Sequence, residues 1–549
     1  MDDTAENGGG KFHRIVHVLT WIFFVPFSLA VFLVLGVSFF TTIYYDLNQG
    51  ADLPRFGREN IPLLLLLTAS VLGILYFLNR NSWILQGKSV HVYVQNHLLP
   101  GSRALRIALI WCTAVCMWLI LMVRGLAVND GLKLDVVIND FMTGNFHALT
   151  EPGGYLFLCP HQLGYVAIGQ FLYLLFGASN YIVYQLLNMI SILITIWMLY
   201  EIAWELFENR KICNLMAIMS MGMLFLYVYS TLVYNDIWSL APEATSIYLM
   251  LRYLKYHRTG DAIWSSVLIG AAIVIKQNSF IAMAAMVVMM ILDAVRELDM
   301  KKRVSCRNIL IKRMLLIVLL VIVSKGITFC VDTAYVEVTG LKMMPKGEPA
   351  TTYIAMGMHE GDGEWGWYNG YNVDTYGNSG FDWNLANQTA ISNIKERIAE
   401  FSDRPLHGGR FYLRKFLTQW ADPTCISMRN LELTSRHVDG QPELMYSVIY
   451  GKGRTLFSWI MNVYQMVVYI GTGIYCIGIF RSRRFSFYQA LPVLFILGGM
   501  VFHELWEGSS RYTIRYFVMM LPYASYGIYQ LVSIMNGENK RESDYRFNL

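Results

Sequence analysis

The sequence predicts an all-α polytopic membrane protein of about twelve transmembrane helices. Three observations carry that reading. Of 549 residues, 55% are hydrophobic and only 15% are charged. The mean hydropathy is +0.40. The apolar residues also fall in blocks of about twenty, the length that spans a hydrocarbon core as a helix. An average soluble domain is roughly 25% charged, and a soluble chain exposing so many apolar blocks would aggregate.

Taken in order, the apolar blocks place spans near 15–45, 60–79, 105–126, 180–206, 212–234, 238–255, 262–277, 279–295, 313–331, 456–480, 488–507 and 512–535. The boundary between the seventh and eighth is not fixed by the pattern. The polar, acidic segment 1–10 lacks a signal-peptide layout, and the first block is too long for a signal's apolar core. It reads as a cytoplasmic tail. Orientation then follows from the placement of Lys and Arg in short loops. With the N-terminus inside, the inner segments gather Lys11 and Arg14; Arg80, Lys88, Arg103 and Arg106; Arg210 and Lys211; and Arg252, Lys255 and Arg258. They also gather the dense run from Arg296 to Arg313 (with Lys301, Lys302, Arg303, Arg307 and Lys312), then Arg481, Arg483 and Arg484, and Lys540, Arg541 and Arg546. That is more than half of the 44 basic residues. Both termini are therefore expected in the cytoplasm of a multi-pass cell-membrane protein.

The chain divides into four parts: 1–104 with the tail and two extra spans, 105–331 as a transmembrane core, 332–455 outside, and 456–549 with the last spans and a second cytoplasmic tail. No internal repeat is visible. The net charge of +5 reflects topology, and the basic residues form no stripe with interleaved aromatics, which excludes nucleic acid as a partner. The eight cysteines include no C-x-x-C pair. Cys112, Cys116, Cys213, Cys330 and Cys476 lie in or beside apolar runs, and Cys159 and Cys425 fall in outer loops, which leaves one disulfide open.

Two outer segments stand out. The first, 127–179, carries Asp130, Asp135, Asp140 and Glu151, then the apolar stretch 161–177. That stretch is short for a span, and crossing there would put the Arg296–Arg313 run outside, so it reads as a helix lying at the interface. The second, 332–455, is far too long for a simple connector. It is rich in Gly, Trp, Tyr and Asn over 361–377 and helical in pattern over 384–401 and 408–420. Its aromatics argue against disorder.

Ionisable groups at membrane depth are costly and each needs a reason. Four sets approach the outer face: Asp130 at the end of the third span, Asp236 between the fifth and sixth, Lys276, and the group His503, Glu504, Glu507, Arg511 and Tyr512. Carboxylates and cations gathered at one level suit a base acting beside an anionic substrate. Each also has a plainer reading. Asp130 can cap the following helix, Asp236 can sit solvated in a turn, Lys276 can snorkel to headgroups, and Arg511 can pair with Glu507 one turn away. His161 is most often a packed or capping histidine, and the cluster 365–371 can be a loop core. What carries information is the meeting of several charged groups, more than any one of them.

The ordered set of motifs resembles the GT-C class of membrane glycosyltransferases, closest to bacterial relatives of protein O-mannosyltransferase and of the aminoarabinose transferase that modifies lipid A. Its pieces are Asp130 at a span end, FMTGNF (141–146), CPHQLG (159–164), LYLLFG (172–177), VYNDIWS (233–239), IKQNS (275–279), GWYNGY (366–371), KFLTQWADP (415–423) and SSRY (509–512). The resemblance implies transfer of a sugar from a polyprenyl-phosphate carrier to a glycan, lipid or protein acceptor outside the membrane, with inversion. It implies Asp130 as the base, Asp236 as a second acidic group, and Lys276, Arg511 and Tyr512 at the carrier phosphate. His161, Gln162, Glu504, Glu507, Trp365, Trp367 and Tyr368 are then expected at substrate, the aromatics by stacking on sugar faces. Many members carry an Asp-Glu pair at the first site, whereas here Asn129 and Gly131 flank Asp130. No cofactor beyond the lipid-linked donor is implied. His359, Glu360, Asp362 and Glu364 cluster without a spacing that holds a metal. The alternatives are a polymerase or ligase of lipid-linked oligosaccharide, or a transporter of a lipid-linked sugar. A transporter would be expected to show repeated halves and midplane polar sites.

Overall fold

The structure is a computed structural model that describes residues 11–81, 102–300, 303–361 and 363–536. The expected tails and Lys88, Lys301, Lys302, Asp362, Lys540, Arg541 and Arg546 lie outside the described residues.

The described residues are mostly helical, with one two-stranded hairpin among them. Among the described residues eight helices are long and apolar enough to cross a membrane, and two bent pairs raise the number to ten. Helices stand at all twelve expected spans. Of the two outside that count, Leu240–Tyr256 carries Glu243, Arg252 and Lys255 in 17 residues, and Thr259–Ile275 is apolar but equally short. The bent pairs, Arg210–Ser220 with Leu224–Thr231 and Ser510–Met519 with Leu521–Met535, each turn by 51°. The second breaks just before Pro522, which cannot donate to the helix ladder.

Two boundaries differ from the sequence reading. The first helix, Lys11–Ser38, stops short of 45, because the β-branched residues 41–43 and the aromatic Tyr44 form strand β1 (Thr41–Tyr44) paired antiparallel with β2 (Arg55–Arg58). The helix Arg303–Thr339 runs eight residues beyond the expected span end at 331. At 1.5 Å per residue its 37 residues reach about 55 Å, more than the roughly 30 Å of hydrocarbon. The expected helices of the second outer segment are present as Trp383–Asp403, capped by Asp382, and Pro405–Trp420. The expected interfacial stretch forms the helix Leu163–Phe176.

Helix ends are closed locally. Ser102 and Asn209 accept from backbone N–H groups of the turns that follow them, and Arg124, Glu208, His257 and Arg483 end helices in the left-handed region. Tight crossings use small residues. A Cβ at Gly527 would lie 1.8 Å from the Gly471 carbonyl, so the helices Lys452–Ser482 and Leu521–Met535 meet backbone to backbone.

All seven described cysteines with placed side chains are free. Cys159 faces the Tyr353 hydroxyl and Cys425 faces Thr513, so the open pairing of Cys159 with Cys425 does not form.

Candidate active site

The site begins where two helices end. Thr259–Ile275 stops at Lys276, which is extended (φ −147°, ψ 113°) before a single 3-10 turn, Gln277–Ser279. The fifth span ends at Thr231 and the chain runs irregularly to Ser239 before the next helix. These two breaks put Lys276 against the 233–239 loop. Lys276 Nζ lies 2.8 Å from Asp236 Oδ1 and 3.4 Å from Asn235 Oδ1, and over the Tyr234 ring at 4.5 Å. Asn235 donates to Gln162 Oε1 (2.9 Å) and to the Ile275 carbonyl (2.7 Å), while Gln162 donates to the Tyr234 hydroxyl (2.9 Å). Gln162 therefore aligns the loop that holds Asp236. Its own approach depends on Gly164, where a Cβ would stand 2.1 Å from the Val274 carbonyl.

Arg511 completes the group. Ser509 caps its helix by accepting from the Arg511 N–H, and Arg511 Nε lies 3.4 Å from Asp236 Oδ2. Neither atom makes a hydrogen bond there, and the Arg511 guanidinium donates none to any described residue. It lies instead over the rings of Tyr234 (5.4 Å) and Tyr512 (5.5 Å). Asp236 and Lys276 are only 6% and 8% exposed. Burial alone would raise the Asp236 carboxyl, but Lys276 and Arg511 outweigh it and hold that group below the usual carboxylate range. Two cations thus share one carboxylate.

Asp130 opens the helix Asp130–Met142, half exposed, with Lys133 at 3.8 Å. Its preceding residue, Asn129, takes φ 50°, ψ −125°, a strained backbone that turns the chain into this helix. Gly131 explains the missing second carboxylate: a Cβ there would lie 2.3 Å from the Val233 carbonyl. The same contact seats Asp130 beside the 233–236 loop. The electrostatics agree. Tyr234 feels both Asp130 and Arg511, His161 feels both Lys276 and Asp130, and Glu507 feels all three. Asp130, Lys276, Arg511 and Asp236 occupy one neighbourhood.

The remaining expected residues divide. His161 is exposed and lines a cleft with Val274, Gln277, Phe280, Lys325 and Asp332. Tyr512 donates to Glu507, whose carboxyl is raised by burial. Glu504 accepts from Gln419 of the helix Pro405–Trp420 (3.1 Å). Trp365 stacks on Phe411 (5.9 Å) beneath Arg414, and Trp367, 4% exposed, donates to Thr418 (3.2 Å), so both build the loop's own core. Tyr368 is 60% exposed and sits in the field of Asp130, Glu348 and Glu507. Asp135 is taken up by Ser179 and Tyr181, at 2.8 Å each. Glu360 pairs with Arg397 and His407, and Glu364 with Arg414. Among the described residues no group of three or more His, Cys, Asp or Glu could hold a metal.

Sequence reasoning missed several contributors. Lys415 is fully buried and donates to the carbonyls of Gly357 (2.7 Å), Glu504 (2.9 Å) and Trp506 (2.6 Å), locking the helix Pro405–Trp420 onto the end of Ala490–Leu505. Asp422, 1% exposed, accepts from Ser510, Tyr45, Thr424 and Ile426 and so fixes the residue next to Arg511. Both lie in the motif 415–423, whose charged residues at buried positions were the available signal. Arg515, one turn beyond Arg511, binds Glu243.

The fold is that of an all-α polytopic membrane protein. Residues 161–326, under a third of the chain, match the family model described as dolichyl-phosphate-mannose-protein mannosyltransferase. The match includes His161, Gln162, Asp236 and Lys276 but neither Asp130 nor Arg511. It agrees with the motif resemblance: the chain resembles GT-C membrane glycosyltransferases of the mannosyltransferase kind. No curated protein and no solved structure matches it.

Proposed function

We propose that this protein transfers a sugar from a polyprenyl-phosphate carrier to an acceptor hydroxyl outside the membrane, with inversion at the anomeric carbon. The observation that carries the reading is the uneven charge at the site. Lys276 and Arg511 face one carboxylate, Asp236, and the Arg511 guanidinium has no hydrogen-bond acceptor among the described residues. A phosphate fits that deficit, because a planar guanidinium fork binds two oxygens and an ammonium adds a point charge.

Asp130 removes the proton of the acceptor hydroxyl as its oxygen bonds to the anomeric carbon. The bond from that carbon to the phosphate oxygen breaks, and the electron pair leaves with the phosphate, where Lys276 and Arg511 stabilise the charge. No general acid is required, since the phosphate is already a good leaving group. Asp236 acts as a positioning residue, holding Lys276 and Arg511 together in the absence of substrate. Tyr368, exposed over the same region, is the aromatic face available to the sugar; Trp365 and Trp367 support the loop beneath it.

The test is turnover of polyprenyl-phosphate mannose by purified protein in detergent. Asp130→Asn should reduce transfer by roughly 10²–10⁴-fold, the usual contribution of a general base, while donor binding stays near normal. Undiminished turnover in that variant would remove Asp130 from the mechanism.

A further inference from the structure

Glu348 lies in the second outer segment, just before the helix Ala350–Gly357. Its N–H donates to the Leu158 carbonyl (3.0 Å), which ties it to the loop carrying Cys159, His161 and Gln162. The side chain is nine-tenths buried. One carboxyl oxygen, Oε2, accepts from the Tyr353 hydroxyl (2.5 Å) and from Asn372 (2.8 Å). The other, Oε1, is buried and has no partner. Leaving such an atom unpaired is costly, so a fold rarely keeps one without use.

Its surroundings are those of the site. Cys159 and Tyr368 each feel both Glu348 and Asp130, and Tyr368 feels Glu507 as well. Tyr353, which holds Oε2, stacks on Trp506 (5.0 Å, 7°), the residue before Glu507. Two short connections therefore join Glu348 to the first outer loop and to the Glu507–Arg511 turn. Position 131 has no room for a second carboxylate, and Glu348 brings one to the same region from a different part of the chain.

We infer that Glu348 is a specificity-determining residue whose unpartnered oxygen hydrogen-bonds one ring hydroxyl of the donor sugar. The inference rests on the transferase reading above and adds the group that reads the sugar. Tyr353 and Asn372 fix the carboxyl plane, so the free oxygen is aimed before the sugar arrives. Burial raises the Glu348 carboxyl, with the hydrogen bonds from Tyr353 and Asn372 opposing. An amide at this position keeps one acceptor for Tyr353 and Asn372 and presents N–H to the sugar.

The experiment compares polyprenyl-phosphate mannose with its 2-, 3-, 4- and 6-deoxy analogues in wild type, Glu348→Ala and Glu348→Gln. Wild type should lose roughly tenfold in kcat/KM with one analogue, the worth of one hydrogen bond to a buried group. Glu348→Ala should lose about the same with the full sugar and nothing further with that analogue. Glu348→Gln should stay within about threefold of wild type and keep its discrimination. Equal penalties for every analogue in wild type and Glu348→Ala, with the alanine variant slow throughout, would make Glu348 a structural residue and overturn the inference alone. If Glu348→Ala does not fold, Glu348→Gln carries the test: lost discrimination in a folded, active amide variant also overturns it. A wild type inactive with polyprenyl-phosphate mannose fails the mannosyl transfer on which the inference rests.

Discussion

The helices Leu240–Tyr256 and Phe280–Met300 carry buried charge near both ends, and the two ends are built differently. At the far end Arg313, 3% exposed, donates to the Tyr253 hydroxyl, lies 2.6 Å from His257 Nδ1, and pairs with Asp293 (3.0 Å) and Glu297 (3.2 Å). Arg296 adds contacts to Asp293 and the Tyr488 hydroxyl, both at 3.3 Å. Acids match bases, and the guanidinium of Arg313 is used on both terminal nitrogens. At the near end the contrast runs within one helical turn. Arg515 donates to Glu243 (2.6 Å), Ser279 (3.0 Å) and Ser239 (3.2 Å), whereas Arg511 donates to no described residue from its guanidinium. A satisfied buried charge holds helices together. A charge left partly unsatisfied beside a second cation has a different use, because the protein pays for it in stability without a structural return.

The largest expected effect comes from breaking the satisfied arginine. Arg515→Ala strands Glu243 in the interior, and removing one partner of a buried pair costs about 3–5 kcal/mol. Folded protein recovered in detergent should fall sharply, with a lowered thermal midpoint. Wild-type yield and midpoint would break the distinction between the two arginines. Arg511→Ala should do the reverse. The thermal midpoint should change little, while kcat/KM for the lipid-linked donor falls by roughly 10²-fold, the worth of charge-assisted hydrogen bonds to phosphate. An unchanged apparent affinity for the donor would count against Arg511 as a phosphate ligand.

How much of this was legible in the sequence follows from which forces set each feature. The spans were readable because bilayer thickness imposes a length on every apolar run, and the helices 383–403 and 405–420 because their apolar positions recur at helical spacing. The β1–β2 hairpin was not, since four β-branched or aromatic residues continue the apolar run of the first helix without a break in hydropathy. Asp130, Asp236, Lys276 and Arg511 could be nominated because charge near an apolar run is rare. Their sharing of one level at the membrane edge could be nominated too, but not the contacts that bring them together, which depend on close approaches at Gly131 and Gly164 that only the fold displays. The tryptophans at 365 and 367 carried an ambiguous signal, as aromatic clusters serve loop cores and sugar faces alike. Glu348 gave none, being one acid in a long polar segment.

A smaller effect tests that dependence on backbone approach. Gly131→Ala places a methyl group against the Val233 carbonyl, so the start of the Asp130 helix must shift from the 233–236 loop. Transfer should fall about tenfold with the donor affinity kept, because Asp130 is displaced while Lys276 and Arg511 stay in place; small misplacements of a reacting group cost rate rather than binding. Loss of donor affinity with unchanged turnover would instead tie Gly131 to the cation pair.

The smallest effect is a pH dependence at Glu348, and it sharpens the contrast between satisfied and unsatisfied charge. Burial raises this carboxyl above its ordinary value, with Tyr353 and Asn372 opposing. For a group raised in the folded state, the stability linked to its proton is fully present below the unfolded value, about 4.3 for glutamate, and is lost as pH rises through the folded value. Glutamine cannot ionise and mimics the protonated acid. Glu348→Gln and wild type should therefore share a thermal midpoint below about pH 4, and the variant should melt about 1–2 °C higher at pH 8. A carboxylate already paired in the fold would give the opposite sign, since removing its charge would remove a favourable interaction that grows above pH 4. A gap that opens with rising pH in favour of Glu348→Gln thus identifies a side chain whose burial is unbalanced by any cation, as Arg511 is a cation unbalanced by a full set of acceptors.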